Sequence, residues 1–467
     1  MKPLPNCHQV SKNRQKKHQQ RRQTSAFKKK QRRIRQALER NLVFRLKKTM
    51  DHFFPDLYER LGALSEVRER PQYRLVEILL GALGMFLFKE GSRNAFNNER
   101  QEQRFLKNYR KVFKVRLPHL DTVDAVLRLL ATEELERLKR DLLSGLLAKK
   151  VFANHRFLGK YYRVVVDGVH VVNVPEGHCP HCLHRTSKNG IVSCFHNVLE
   201  AKLVTENGFS LSLESEWIEN PDGEYDKQDC ERRAFERLAV KLKQHFARLP
   251  ICIVADALYP HQTFFRICEK NNWAWMVTFK DGNLPSVWEE VLSLKKLLPQ
   301  NRRQEILRHP AGNLRREYFW VNDIAYQTYR LHWFECLEHS DEKTTRFVYL
   351  SSEAIDYFNV LEATENGRLR WKIENEGFNT QKNLGYGLSH KYSRVSFKAM
   401  KNYYQCLQIA HMINQLFELG SLGKPLAQGK RTFKHLWKKM LGQMRESKLK
   451  LKELDAWLNK TIQIRFT

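Results

Sequence analysis

The sequence lacks long hydrophobic runs. Its longest apolar stretch, residues 78–88, has eleven residues of which two are glycine, whereas a helix that spans a membrane needs about 20. The amino terminus is basic and has neither the apolar core nor the small-residue cleavage site of a secretory signal. These absences predict a cytoplasmic protein without a membrane partner.

Cysteine is sparse, and acidic residues are outnumbered. Nine cysteines are spread over 467 residues, which argues against a small domain held together by disulfides. Asp and Glu total 51 against 82 Lys and Arg, so the formal net charge is +31 and the pI is near 9.8. This excess of positive charge predicts a densely negative partner, and nucleic acid is the foremost candidate.

The positive charge is concentrated in a basic arm over residues 1–50. Residues 1–48 contain 17 Lys or Arg and a single acidic residue, Glu39. We expect this arm to be disordered on its own and to bind DNA through the release of counterions from the phosphates. A tail that only improves solubility is the alternative.

The remaining chain divides by its hydrophobic pattern. Residues 51–155 carry apolar residues at helical spacing, which predicts an all-helical domain that binds DNA. Residues 156–412 alternate between β-branched runs and helical stretches, which predicts a mixed α/β sheet with flanking helices. A β-rich insertion is expected at about 281–352, and a helical region at 413–467.

Three acidic residues stand at positions where a carboxylate is costly or well placed for chemistry. Asp167 lies inside a buried-type strand, Asp256 directly follows another strand, and Glu374 lies on a predicted helix four residues after Arg370. Singly, each could belong to a turn, a helix cap or a surface ion pair. Together, two strand-borne Asp and one helix-borne Glu predict a site for two Mg²⁺ or Mn²⁺ ions, which prefer oxygen ligands. Glu376 is the rival for the third position.

Three segments around these acids resemble a known family. They are the runs Val164–Gly168, Val254–Tyr259 and Arg370–Glu374, and they are similar to the three blocks of bacterial insertion-sequence transposases of the DDE type. Further similar segments begin at Ser92, Leu117, Lys227 and Ile373, so that the resemblance covers most of residues 90–412. It implies an RNase H-like catalytic domain with a β-rich insertion before the Glu.

The resemblance also implies the activity. Asp167, Asp256 and Glu374 would hold the catalytic ions, and Arg370 and Lys382 would contact DNA phosphates near the scissile bond. The partners would be double-stranded DNA of the element ends and the target. The assembly would be a homodimer or larger on DNA, associated with the bacterial nucleoid.

Two positions depart from the family pattern. Related transposases often carry Tyr where this chain has Gly367 and Lys where it has Gln381, and Lys382 is one step further along. Two alternatives therefore remain open. The chain could be an RNase H-like nuclease without strand transfer, or a catalytically silent DNA-binding protein derived from a transposase.

A second metal site is suggested by the pair Cys179 and Cys182. Their spacing lets two thiolates reach one Zn²⁺ ion, and His184, Cys194 and His196 offer further ligands. The candidate set for structural zinc is Cys179, Cys182, His184 and His196. The alternative is a set of reduced cysteines beside a polar loop, because the second pair is not at a standard spacing.

Overall fold

The computed structural model describes residues 41–174, 179–223, 225–309, 312–340, 343–427 and 432–466. Most of the expected basic arm, residues 1–40, lies outside the described residues. The first described helix, Leu42–Phe53, begins inside the range assigned to the arm. It does so because Leu42, Val43 and Phe44 are apolar, and all three are buried in the common core.

The amino-terminal part is all-helical over the described residues, as the sequence predicts. Its helices are α1 Leu42–Phe53, α2 Leu57–Gly62, α3 Leu75–Leu87, α4 Arg93–Gln101, α5 Gln103–Phe113, α6 Leu120–Leu129 and α7 Thr132–Ala148. Helix α3 carries most of the longest apolar run and is almost entirely buried. It is a core helix, and none of the described helices is long and apolar enough to cross a membrane.

The rest of the chain is mixed α/β, as predicted, and is built on one ten-stranded sheet. The strands are β1 Tyr162–Val174, β2 Leu183–Thr186, β3 Val192–Val204, β4 Ser210–Ile218, β5 Ile251–Ala255, β6 Ala274–Thr278, β7 Arg302–His309, β8 Gly312–Tyr326, β9 Tyr329–His339 and β10 Thr344–Ser351. Strands β1, β5 and β6 are parallel neighbours, and β3 is antiparallel to both β1 and β4.

Helices cover both faces of this sheet. They are α8 Glu231–His245, α9 Gln262–Lys270, α10 Pro285–Leu297, α11 Val360–Arg368, α12 Thr380–Asn383, α13 Phe397–Leu419, α14 Phe433–Glu446 and α15 Leu451–Leu458. The long helix α13 packs against the amino-terminal helices as well as against β4, and its buried residues belong to one continuous core. The boundary expected after residue 412 falls inside this helix, because its apolar residues run on to Phe417.

Four strands lie within the range 281–352 where β-rich structure was expected, and they extend the central sheet. Strands β7 to β10 form an antiparallel meander, and β10 pairs with β6. Helix α10 and strand β7 in this region were not predicted from the sequence. Strand β7 carries little apolar sequence, so that its pairing with β8 is the main determinant of its conformation.

Candidate active site

The two aspartates meet because of the register between parallel strands. Val165 on β1 pairs with Val254 on β5. Asp167 lies two residues beyond Val165, and Asp256 lies two residues beyond Val254. Since strands in one parallel pair advance by the same rise per residue, the two carboxylates are brought to the same level of the sheet.

Asp167 is partly buried on β1, and its two carboxylate oxygens have different partners. Its side chain is 24% exposed, and Arg370 Nη1 lies 3.7 Å from its Oδ2. Its Oδ1 accepts a hydrogen bond from the Gly168 amide at 3.0 Å. Burial raises the pKa of Asp167 to about 6. The Arg370 guanidinium opposes this increase, whereas the charges of Asp256 and Glu374 add to it.

Glu374 comes from a π-helical segment, Ile373–Asn379. Its charge contributes to the raised pKa of Asp167, so that the third predicted acid is a neighbour of the first. Glu376 is instead bonded to Lys372, with Nζ 2.7 Å from Oε1. This arrangement favours Glu374 over Glu376 as the third acid, and π-helical turns are frequent at functional sites.

A fourth carboxylate, Glu231, adjoins the site and was missed by the sequence analysis. It is the first residue of α8, and its carboxyl group fills the space beside Gly168. A Cβ built on Gly168 would lie 2.7 Å from Glu231 Cδ. Burial, together with the charges of Asp167 and Asp256, raises the pKa of Glu231 to about 7. The only sequence signal was its place in the segment from Lys227 to Glu231 that resembles the family.

The phenol of Tyr259 lies beside the same carboxylates. Tyr259 is 1% exposed, and within the described part of the chain its hydroxyl has no hydrogen-bond partner. Burial raises the pKa of Tyr259, and the charges of Glu231, Asp256 and Asp167 raise it further. A buried hydroxyl without a hydrogen-bond partner, close to several carboxylates, indicates a polar site whose hydrogen bonds are not all supplied by the protein.

The donor set fits a hard divalent cation. Carboxylate oxygens are the ligands that Mg²⁺ prefers. Among the described residues, Arg370 is the cation that pairs with Asp167, while the charges of Asp256 and Glu374 raise the pKa of Asp167. The side chains do not form a closed coordination shell, because no three His, Cys, Asp or Glu of the described residues are close enough to hold a metal ion. Binding would therefore require the side chains to turn towards the ion.

The departures at Gly367 and Gln381 have structural explanations. A Cβ on Gly367 would lie 2.6 Å from Cζ of Tyr349, so that this tyrosine ring occupies the space beside the helix.

Gln381 is fully buried and donates to Gln408 Oε1 at 2.9 Å, whereas Lys382 is exposed. A π-helical turn contains more residues than an α-helical turn. Because of this extra residue, the side of the helix that carries Glu374 reappears at Lys382 instead of at Gln381.

The two predicted DNA-contacting residues differ in their relation to the acids. Arg370 is 12% exposed, pairs with Asp167 and lies over the Trp371 ring, with Cζ 4.5 Å from its centroid. The charge of Lys382 lowers the pKa of His170, which stands three residues beyond Asp167 on β1. Arg370 thus contacts an acid directly, whereas the contact of Lys382 with DNA stays a prediction.

The cysteine cluster forms from a partly different set of residues than expected. Burial, together with the neighbouring thiols of Cys194 and Cys179, raises the pKa of Cys182 to about 11. The His196 ring is fully buried and stacks on Phe397, with centroids 3.6 Å apart. His184 pairs with Cys194 across β2 and β3 and is exposed. Cys179 and Cys194 are thus neighbours of Cys182, but no three ligands of the described residues are placed to hold a metal ion, and zinc binding stays a prediction.

A comparison of the sequence with known protein families finds no match, and a comparison with curated proteins finds no significant similarity.

Proposed function

We propose that the chain is a DDE-type transposase that cuts DNA at the ends of a mobile element and joins those ends to target DNA. The observation that carries this proposal is the register of β1 and β5, which brings Asp167 and Asp256 to one level, together with the effect of the Glu374 charge on the pKa of Asp167. The net charge of +31 supports a polyanionic partner. The resemblance of the three segments to insertion-sequence transposases supports the reaction class.

The sheet supports an RNase H-like catalytic domain. The antiparallel strands β4, β3 and β1 are followed by β5 and β6, which run parallel to β1. The meander β7 to β10 interrupts the chain between Asp256 and Glu374, where the resemblance implies a β-rich insertion. The first acid thus stands on β1, the second directly after the adjacent strand β5, and the third on a π-helical segment that contacts β1.

The proposed ligands of two divalent ions are Asp167, Asp256 and Glu374. When bound, Mg²⁺ or Mn²⁺ lowers the pKa of an attacking water or hydroxyl group and stabilises the leaving oxygen. Glu231 lies close enough to orient the aspartates or to hold a proton at its carboxyl group. Arg370 and Lys382 offer cations that can contact phosphates and fix the DNA strand in line for attack.

The wider setting is also proposed. Double-stranded DNA of the element ends and of the target would be the partner, and the protein would act as a homodimer or larger assembly on the bacterial nucleoid in the cytoplasm. Phosphate contacts fix position along DNA but carry no sequence information, so that recognition of the ends needs base contacts. The amino-terminal helices are the candidates for that role.

The deciding experiment incubates the purified protein with Mg²⁺ and DNA that carries the inverted repeats flanking its coding region. We expect cleaved ends joined to a target plasmid, and we expect Asp167→Asn to abolish both steps. Cleavage without joined products would indicate a nuclease. A mobility shift without cleavage would indicate a DNA-binding protein that has no catalytic activity.

A further inference from the structure

The π-helical segment that carries Glu374 lies directly on the central sheet. A Cβ built on Gly377 would lie 2.9 Å from Ser210 Oγ and 3.6 Å from Lys202 Cδ. The glycine therefore allows a close approach of the segment to strands β3 and β4. Because Glu374 is only three residues before Gly377, its position depends on how the segment is held against these strands.

Lys202 projects from β3 to the same side of the sheet as Asp167. Asp167 pairs with Glu200, and paired residues of antiparallel strands project to the same face. Lys202 stands two residues beyond Glu200, and every second residue of a strand lies on one face. The face that carries Asp167 is therefore the face on which Lys202 meets the π-helical segment.

Lys202 is fully buried beside the segment. Its Nζ lies 5.2 Å from the ring centroid of Phe378 and donates a hydrogen bond to Gln408 Oε1 on α13 at 3.0 Å. Burial lowers the pKa of Lys202 to about 8, so that the side chain is still mainly a cation at neutral pH. A buried cation is costly where an apolar side chain of similar size would pack, so that packing alone does not account for this lysine.

Gln381 and Gln408 connect this cation to the end of the segment. Gln381 Nε2 donates to Gln408 Oε1 at 2.9 Å, so that one oxygen accepts from both Gln381 and Lys202. Gln408 Nε2 donates to Gln381 Oε1 at 3.3 Å. All three side chains are buried. They join β3, α12 and α13 through one polar cluster.

The cluster holds one end of the π-helical turn. Gln381 lies just beyond the segment Ile373–Asn379, whereas Glu374 lies near its beginning. A π-helical turn contains one more residue than an α-helical turn and is rare. Its relaxation to an α-helix would rotate the side chains before the turn by about 100° relative to those after it. With Gln381 held by Gln408, that rotation would turn Glu374 away from Asp167.

We propose that Lys202, Gln381 and Gln408 are positioning residues that hold the π-helical segment in the conformation that presents Glu374 to Asp167 and Asp256. This inference rests on the proposed function, and it assigns to the candidate metal ligand Glu374 a support from β3 and α13. The three buried side chains act through Glu374 and not on the metal or the DNA.

The test makes two measurements on the full chain. One is the affinity for Mn²⁺, from the electron paramagnetic resonance signal of the free ion, and the other is hydrogen exchange of residues 373–380 without metal. Gln408→Leu removes the acceptor that Lys202 and Gln381 share. We expect Mn²⁺ to bind about 10-fold more weakly, as is usual when the support of a metal ligand is removed. Residues 373–380 should exchange faster.

Two further variants separate positioning from general packing. Gln408→Glu keeps an acceptor oxygen for both donors and should restore parent-like exchange and Mn²⁺ affinity. Gln405→Leu is the matched control, since Gln405 is buried on the same helix and its amide makes no hydrogen bond with another described residue. It should leave both measurements unchanged.

Lys202→Met keeps the test decisive if Gln408→Leu folds poorly. It removes the charge but retains an unbranched side chain, so that Mn²⁺ binding should weaken while the midpoint of urea unfolding changes little. Parent-like exchange and Mn²⁺ affinity in folded Gln408→Leu or in Lys202→Met, or equal losses in Gln405→Leu, would overturn the inference. The exchange comparison needs no metal, so that a parent protein that binds no Mn²⁺ counts against the proposed function alone.

Discussion

Glu231 occupies the space that a side chain at position 168 would need, since a Cβ on Gly168 would lie 2.7 Å from Glu231 Cδ. Gly168 directly follows Asp167 and donates its amide hydrogen to that carboxylate. The absence of a side chain at 168 therefore allows a fourth carboxylate to approach the acids. This relationship links strand β1 to the beginning of helix α8.

Gly168→Ala should impair catalysis more than folding. The atoms displaced belong to the flexible end of Glu231, so that the free energy of unfolding should change by about 1 kcal/mol or less. Cleavage of element-end DNA should fall roughly 10- to 100-fold, because small misplacements of reacting groups are costly. Urea unfolding and cleavage rates measure the two effects. Unchanged cleavage in a folded variant would show that the position of Glu231 has no role.

The raised pKa values predict how stability depends on pH. Burial favours the protonated forms of Asp167 and Glu231, with pKa values of about 6 and about 7. The stability that these groups contribute is present below pH of about 4 and is lost as the pH rises through those values. Without divalent metal, the free energy of unfolding should fall by up to about 3 kcal/mol per group between pH 4 and pH 8.

The corresponding variants provide the measurement. Denaturant unfolding with a chelator should show a flatter pH dependence for Asp167→Asn and Glu231→Gln than for the parent protein. Glu376→Gln is the matched control, because Glu376 is bonded to Lys372 away from the cluster. Adding Mg²⁺ at pH 8 should stabilise the parent protein by mass action. Parallel curves of the free energy of unfolding against pH for all variants would refute the assignment of the raised pKa values to Asp167 and Glu231.

Lys382 should contribute one phosphate contact. Lys382→Gln should weaken DNA binding for all sequences and reduce the slope of log affinity against log salt by about 1. Lys372→Gln removes the same charge from a side chain that is bonded to Glu376, so that it serves as the control. Equal salt slopes for the parent protein and Lys382→Gln would contradict the contact.

The cysteine cluster predicts which thiols matter for zinc. If the chain binds zinc, metal analysis of the purified protein should give about one ion per chain. Cys182→Ser and Cys194→Ser should lower that content, since these two thiols are buried neighbours. Cys230 is exposed and serves as the control through Cys230→Ser. A protein without zinc whose stability is unaffected by a chelator would favour reduced cysteines.

The sequence was sufficient to predict which strand positions carry the acids. Asp167 and Asp256 each stand within or directly after an apolar run that forms a central strand. The register at which the two strands pair is visible only in the fold. The amino-terminal helices follow from the same local pattern.

Tertiary relationships were not predictable from the pattern. Glu231 reads as an ordinary acid in the first turn of a helix, where the helix dipole favours it, and only the fold brings it over Gly168. The composition does not predict the π-helical turn after Lys372. This turn puts Lys382, instead of Gln381, on the side of the helix that carries Glu374. The short strand β2 is defined mainly by its pairing with β3.

The central claim is that Asp167, Asp256 and Glu374 form one metal-dependent site for DNA cleavage. The most direct measurement compares Mg²⁺-dependent cleavage of element-end DNA by Glu374→Gln and Glu376→Gln, two isosteric changes two residues apart. We predict that Glu374→Gln lowers the rate by about 100-fold or more, while Glu376→Gln cleaves at nearly the parent rate. Equal rates for the two variants, or a loss confined to Glu376→Gln, would contradict the claim.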